Sequence, residues 1–212
     1  MIVTLTLNPA LDITYTVPEL KTGTTHRPQV RAQAGGKGVN VARTLHALGR
    51  DTVAVLPLGG FDGDAVRTEL ETAGLPHHAI PISGATRRTV TVVEAASSDG
   101  LATGFNEAGP ELTAAEWAEI CAAVSALLET ASLDTHPVLV LSGKLPGGLG
   151  DDAYAELITL AAGFDVPTIL DTEGPALLAA LPAHPAIVKP NAHELLDATG
   201  LTDPARAAAE LL

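Results

Sequence analysis

The chain has 212 residues, 46 % of them hydrophobic but only 3 % aromatic, and a formal net charge of −13 at pH 7. That length allows one large domain or two small ones with a sizeable aliphatic core. The charge argues against nucleic acid or an anionic membrane surface as a main partner. A small phosphorylated ligand stays compatible with an acidic chain, because it responds to a local cluster of cations. The single cysteine, Cys121, excludes an internal disulfide framework and points to a reducing compartment. The N-terminal run meets Asn8-Pro9 at once and has no basic segment, so no signal peptide is expected. No apolar run is long enough to cross a bilayer. A cytoplasmic location is the resulting expectation.

Residues 2–7 are rich in Ile, Val, Thr and Leu and read as a buried strand ended by Asn8-Pro9. Residues 12–17 alternate polar and apolar, which predicts a half-exposed strand. A second polar-alternating stretch, residues 25–33, leads into Gly35-Gly36-Lys37-Gly38-Val39-Asn40, and the two stretches could pair as a small flap outside the main sheet. In the loop, glycine permits positive φ and close backbone approach. A helix N-terminus behind it offers unpaired N–H groups and partial positive charge. With Lys37 and Asn40 this makes a pocket for an oxygen-rich, anionic small molecule. The other reading of these residues is a tight strand-to-helix turn with a solvated lysine.

Val41, Leu45 and Leu48 continue a helical pattern that stops at Gly49. Residues 52–58 are the next buried strand, closed by Gly59-Gly60. Asp62-Gly63-Asp64 opens a helix that Gly74 ends. Residues 79–81 make at most a short strand. Residues 89–94 predict a strand, with residues 102–106 as hairpin partner across Ser97-Ser98-Asp99-Gly100. Thr113-x-x-Glu116 is a capping-box signature. It opens a helix to about residue 131, whose buried stripe is Trp117, Ile120, Val124, Leu127 and Leu128.

A strict alternation follows. Strands at 138–141, 168–170 and 186–188 alternate with helices at 151–162, 175–180, 191–199 and 204–212. Strands apolar on both faces, interleaved with helices, predict an α/β fold with a parallel sheet covered on both sides. Polar residues collect at the strand C-termini: Asn8, Gly59-Gly60, Ser142-Gly143, Asp171 and Lys189-Pro190-Asn191. That edge is where open α/β sheets bind ligands. There is no Walker loop, no Gly-x-Gly-x-x-Gly, no Gly-x-Ser-x-Gly and no His/Cys cluster at metal-ligand spacing. Lysine is scarce, with only Lys21, Lys37, Lys144 and Lys189 present, three of them beside Gly or Pro.

Five pieces occur in order: Thr6-Leu7-Asn8-Pro9-Ala10-Leu11-Asp12, Gly35-Gly36-Lys37-Gly38-Val39-Asn40-Val41-Ala42, Thr86-Arg87, Ser142-Gly143-Lys144-Leu145-Pro146, and Lys189-Pro190-Asn191-x-x-Glu194. In this order the chain resembles the PfkB-type carbohydrate kinases of the ribokinase superfamily. It is most similar to their phosphosugar branch, namely 1-phosphofructokinase, tagatose-6-phosphate kinase and the minor 6-phosphofructokinase. The resemblance implies one ribokinase-like domain over residues 1–212. Its fold would be three αβα layers around a mainly parallel sheet, with a β lid from about residues 12–33 and 88–106 that often pairs into a homodimer.

The resemblance also implies roles. Asp12 would accept hydrogen bonds from sugar hydroxyls. Gly36, Lys37 and Asn40 would hold the sugar and its phosphate. Arg87 would pair with that phosphate through its planar fork, with Arg27 as a second candidate. Lys189 and Asn191 would lie near the phosphates of ATP, and Glu194 would hold Mg²⁺ indirectly, through water. The implied reaction is ATP-dependent phosphorylation of a ketohexose phosphate, fructose 1-phosphate first.

Two departures from the family pattern stand out. Lys144 replaces a small polar residue, where it could reach the substrate phosphate or block the usual contact. The late Gly-Ala-Gly-Asp, which carries the catalytic aspartate and anion hole, is missing from these 212 residues. The chain therefore reads as an N-terminal portion with the C-terminal part of the fold missing, its aspartate base expected beyond residue 212, and inactive alone. Other readings are a non-catalytic sugar-phosphate-binding module, a tagatose-6-phosphate or 6-phosphofructo-kinase, and a kinase of an unphosphorylated sugar. The last gives Lys37 and Arg87 no partner.

Overall fold

A computed structural model describes residues 1–96, 101–132 and 136–211. The predicted turn at Ser97-Ser98-Asp99-Gly100 and the end of the last helix at Leu212 lie outside the described residues. In chain order, β1 (Ile2–Leu5), β2 (Ala10–Val17) and β3 (Gln29–Gly35) precede α1 (Lys37–Ala47), β4 (Thr52–Leu58), α2 (Gly60–Thr72) and β5 (His77–Pro81). Then come β6 (Arg87–Glu94), β7 (Ala102–Asn106), α3 (Ala114–Ser132), β8 (Val138–Ser142), α4 (Ala153–Ala162), β9 (Thr168–Asp171) and α5 (Gly174–Ala180). A short 3₁₀ turn (Leu181–Ala183), β10 (Ile187–Val188), α6 (Ala192–Thr199) and α7 (Pro204–Leu211) complete the series.

Six strands form one sheet in the order β10-β9-β8-β1-β4-β5, parallel at every pairing. β1 sits between β8 and β4, and Val3, Thr4 and Leu5 are fully buried. This is why the run carries apolar or β-branched residues on both faces. On one face, Val39 and Ala42 of α1 and Val66 and Leu70 of α2 pack on Ala54, Leu56 and Leu58 of β4. On the other, Ile120, Val124 and Leu128 of α3, Tyr154 and Leu157 of α4 and Leu177 of α5 cover Val3, Leu5, Leu139, Leu141 and Leu170. Three αβα layers result, as the alternation predicts. No helix among the described residues is long and apolar enough to cross a membrane.

The second sheet has the order β3-β2-β6-β7 and is mixed. β2 pairs antiparallel with β3 and parallel with β6, and β6 pairs antiparallel with β7. β3 occupies 29–35 and not the expected 25–33, because its pairing with β2 runs on to Ala10 and Gly35 and carries the strand into the glycine loop.

Two local features are decided by packing. First, the helical pattern of Val41, Leu45 and Leu48 lies on α1 and its C-cap, but the buried residues of the helix are Val39 and Ala42, and Leu48 is 69 % exposed. Val41 and Leu45 instead rim an apolar groove of about 280 Å³ floored by Ile2, Val138, Val140 and Ile169. Ile187 of β10 is 55 % exposed. A spacing rule finds the apolar side of a helix but not which part of a sheet lies opposite it. Second, α2 begins at Gly60, ahead of Asp62. Gly59 is extended there, its N–H bonds Thr86 Oγ1 at 3.0 Å, and its carbonyl accepts from Gly63.

The expected capping box closes, and the structure adds a second. Glu116 accepts from the Thr113 N–H at 2.8 Å while Thr113 Oγ1 accepts from the Glu116 N–H at 3.2 Å. Glu194 accepts from the Asn191 N–H at 2.8 Å, and Asn191 Oδ1 accepts from the N–H groups of His193 and Glu194, both at 2.9 Å. Each local pair satisfies otherwise orphaned donors at a helix start.

Candidate active site

Parallel pairing gathers the strand C-termini at one edge of the sheet. The chain leaves β1 toward β4 on one side, while β8 pairs with β1 on the other. The connectivity reverses at this point, which opens a crevice. A cavity of about 480 Å³ lies there, lined by Thr6 and Asn8, Gly36 and Lys37, Arg87, residues 106–108 and residues 143–145. Sheet, lid and glycine loop thus each supply a wall.

Gly36 has φ 115°, and a Cβ there would stand 2.6 Å from the Thr6 methyl. Only glycine lets the loop turn into α1 this close to the end of β1. The N-cap residue of α1 is Gly36, which has no side chain to cap the first N–H groups. Thr6 Oγ1 and Asn8 Oδ1 are buried without a hydrogen-bond partner among the described residues. Such atoms call for a partner of some kind.

Three of the four lysines and one arginine bear on this edge. Arg87 is half-buried; its Nε donates to the Asn8 carbonyl and its Nη1 to the Glu107 carbonyl, both at 3.2 Å. No carboxylate pairs with it among the described residues. Burial holds its pKa below the ordinary arginine value, with the charges of Asp12 and Glu107 opposing. The adjacent Arg88 faces away and forms a two-bond pair with Asp62, at 2.8 and 2.9 Å, which ties α2 to the lid.

The Lys37 ammonium lies 3.6 Å from Asp171 Oδ1 and 3.7 Å from Glu194 Oε1. Lys189 reaches the same Asp171 oxygen at 3.2 Å, and Ser142 Oγ donates to Asp171 Oδ2 at 3.1 Å. Lys37 therefore joins the cavity to the ends of β9 and β10. Lys144 lines the cavity and pairs with Glu173 at 2.6 Å. The loop under Lys144 is pinned: the Gly143 carbonyl accepts from Tyr154 Oη and Thr172 Oγ1, both at 2.9 Å. Tyr154 is fully buried, and burial with the Asp171 charge pushes its pKa upward.

Of the expected sugar-side residues, the cavity brings together Gly36, Lys37, Arg87 and Lys144. Asp12 and Asn40 are not in its lining. Asp12 is occupied by Thr89, whose Oγ1 donates to it at 2.6 Å, and it lies against Gly35, where any Cβ would overlap its carboxylate. Asn40 is exposed on α1, and Arg27 is exposed before β3. Lys189, Asn191 and Glu194 stand at the β10–α6 turn, beside Asp171. Asn106, Glu107 and Glu173 carry no motif. Asn106 reaches the cavity because it pairs with Thr89, two residues from Arg87, a placement no short pattern encodes.

Among the described residues no cluster of three or more His, Cys, Asp or Glu could hold a metal directly. Asp171 and Glu194 face one ammonium, and Glu194 already caps α6. Two such carboxylates fit a divalent cation that keeps most of its waters, not a closed protein cage. Burial and the Glu156 charge push the Cys121 thiol up to about 11, which disfavours the thiolate.

The sequence profile of the pfkB family of carbohydrate kinases matches residues 5–212. The tetrameric inhibited form of phosphofructokinase-2 from Escherichia coli superposes with a TM-score of 0.87 at 31 % identity, over 99 % of this chain and 69 % of that one. The same enzyme in complex with fructose-6-phosphate gives the same figures. A possible 1-phosphofructokinase from Thermotoga maritima gives a TM-score of 0.81 at 25 % identity, over 91 % of this chain and 60 % of that one. On the profile match and these likenesses, the chain belongs to the pfkB family of carbohydrate kinases.

Proposed function

We propose that the cavity binds a ketohexose phosphate, fructose 1-phosphate first. The parent reaction is then ATP-dependent phosphorylation to fructose 1,6-bisphosphate. One observation carries the reading: Lys37, Arg87 and Lys144, from three distant segments, converge on one cavity, and Arg87 lacks a carboxylate partner among the described residues. A neutral sugar leaves that charge uncompensated; a phosphate dianion answers it with charge-assisted bonds.

In this reading Arg87 takes the existing phosphate, and Lys144 and Lys37 flank it. Thr6 and Asn8 offer their unpartnered oxygens to sugar hydroxyls, and Asp12 and Asn40 approach from lid and helix when the ligand is bound. Lys189, Asn191 and Glu194 serve the nucleotide side. ATP supplies the phosphoryl group, and Mg²⁺, held through water near Glu194, neutralises its charge. Lys37, within reach of both sides, orients the acceptor sugar toward the nucleotide side. The 212 residues contain no Gly-Ala-Gly-Asp, so no general base for the attacking hydroxyl is assigned among them. That same fact favours a second reading, a sugar-phosphate-binding module without turnover.

The lid supports a homodimer. Ile13 and Tyr15 share one face with Val90 in β6, and Val30 and Phe105 on that face are 63 % and 60 % exposed. The single cysteine and a small-molecule phosphotransfer are in keeping with the cytoplasm.

Calorimetric titration of residues 1–212 tests the reading. Saturable binding of fructose 1-phosphate is expected, with fructose at least tenfold weaker. Equal affinity for both sugars refutes a phosphate site. Parallel titrations with fructose 6-phosphate and tagatose 6-phosphate rank the substrates.

A further inference from the structure

The exposed Lys144–Glu173 pair sits at the cavity rim, and nothing in the phosphate-site reading accounts for Glu173. Lys144 lines the cavity and Glu173 does not. The two side chains meet at 2.6 Å and are 72 % and 37 % exposed. Glu173 is the N-cap residue of α5, with extended backbone, yet its carboxylate makes no cap hydrogen bond. It turns to Lys144 instead of to the N–H groups an N-cap side chain usually serves.

The backbone beneath both residues is held. The Gly143 carbonyl accepts from Tyr154 and Thr172, and the Gly143 N–H donates to the Asp171 carbonyl at 2.9 Å. The loops after β8 and β9 are thus fastened to each other, and the exposed Lys144 side chain stands above them. Exposed ion pairs of this kind contribute little net stability, so a stronger anion displaces the carboxylate. Lys37, by contrast, is shared between two carboxylates that are nearly buried.

We propose that Glu173 is a counter-ion that tempers the affinity of the site for its phosphorylated ligand through Lys144. It occupies Lys144 in the empty site and yields it to the phosphate of the incoming sugar. It holds the ammonium at the rim, lowers the affinity for the phosphorylated ligand, and leaves neutral sugars unaffected. The inference rests on the phosphate-site reading above and adds a residue that acts through Lys144.

The test is a double-mutant cycle by calorimetry on the 212-residue chain, titrated with fructose 1-phosphate and with fructose. E173Q is expected to tighten fructose 1-phosphate about fivefold and to leave fructose unchanged. E173D keeps the wild-type value. K144M weakens the phosphate ligand about tenfold, and adding E173Q to K144M changes nothing further. The same gain from E173Q with and without Lys144, or no gain at all, overturns the counter-ion role while leaving the phosphate site standing. Failure of the wild-type chain to prefer the phosphorylated sugar overturns the site reading, and this inference with it.

Discussion

Replacing Glu116 with Gln removes a carboxylate that fastens α3 to the end of β5. Glu116 is 9 % exposed. One oxygen accepts from the Ser83 N–H at 2.6 Å and Ser83 Oγ at 2.8 Å; the other accepts from the Thr113 N–H and Oγ1, both at 2.8 Å. The two backbone N–H donors hold its pKa down from the ordinary 4.5 to about 2, against the opposing effect of burial. At 1.36 kcal/mol per tenfold change in proton affinity, this depression sets a ceiling of about 3 kcal/mol. Solvent at the helix start and the oxygen that Gln retains bring the expected loss to about 2 kcal/mol, or roughly 5 °C in melting temperature for a chain of this size. A depressed carboxylate contributes its stability above the unfolded-state value. The contribution is full above about pH 5 and fades as pH falls toward 2. Urea unfolding of wild type and E116Q at pH 7 and pH 3 should therefore show a gap that roughly halves at the lower pH. A gap below about 0.5 kcal/mol at pH 7, or one that does not shrink at pH 3, refutes the reasoning.

Further expectations follow from the site and the lid. Arg87→Met should weaken fructose 1-phosphate at least tenfold by calorimetry with an unchanged circular dichroism spectrum; a similar loss for fructose would contradict a phosphate contact. Tyr154→Phe removes one of the two bonds on the Gly143 carbonyl and should destabilise the chain by about 1 kcal/mol in urea unfolding. Phe105→Glu, on the exposed side of the lid, should convert a dimer to a monomer in light scattering; a wild-type monomer counts against the lid interface. The purified 212-residue chain should form no ADP above background with ATP, Mg²⁺ and fructose 1-phosphate, a claim that turnover near that of a phosphofructokinase would defeat.

Much of this architecture is legible in the residue string. β1 and β4 are apolar on both faces because both faces are covered, and local pattern is enough to show it. Thr113–Glu116 closes within one helical turn, so spacing alone reveals it, whereas the like box at Asn191–Glu194 emerges from the structure. The glycine loop announces itself because Gly36 needs a backbone that other residues adopt rarely. The buried side of α1 is less legible, because Val41 and Leu45 border the open groove over β8 and β9, where nothing local separates a covered face from an open one. Asn106 escapes notice because only the β6–β7 register brings it to Arg87.

The sequence by itself determined the class of fold, the edge at which polar residues gather, and which segments carry cations, since these follow from short-range periodicity and capping. The tertiary structure alone decided which charges meet. Lys37 pairs with Asp171 and Glu194, and Lys144 with Glu173, across separations set by strand order. Among the described residues Arg87 is hydrogen-bonded to carbonyls alone. Coulomb attraction acts over a few ångströms of space, and the distance along the chain carries no record of it. The glycine loop is thus a wall shared by the cation-lined cavity and the Asp171–Glu194 carboxylates, joined through one lysine.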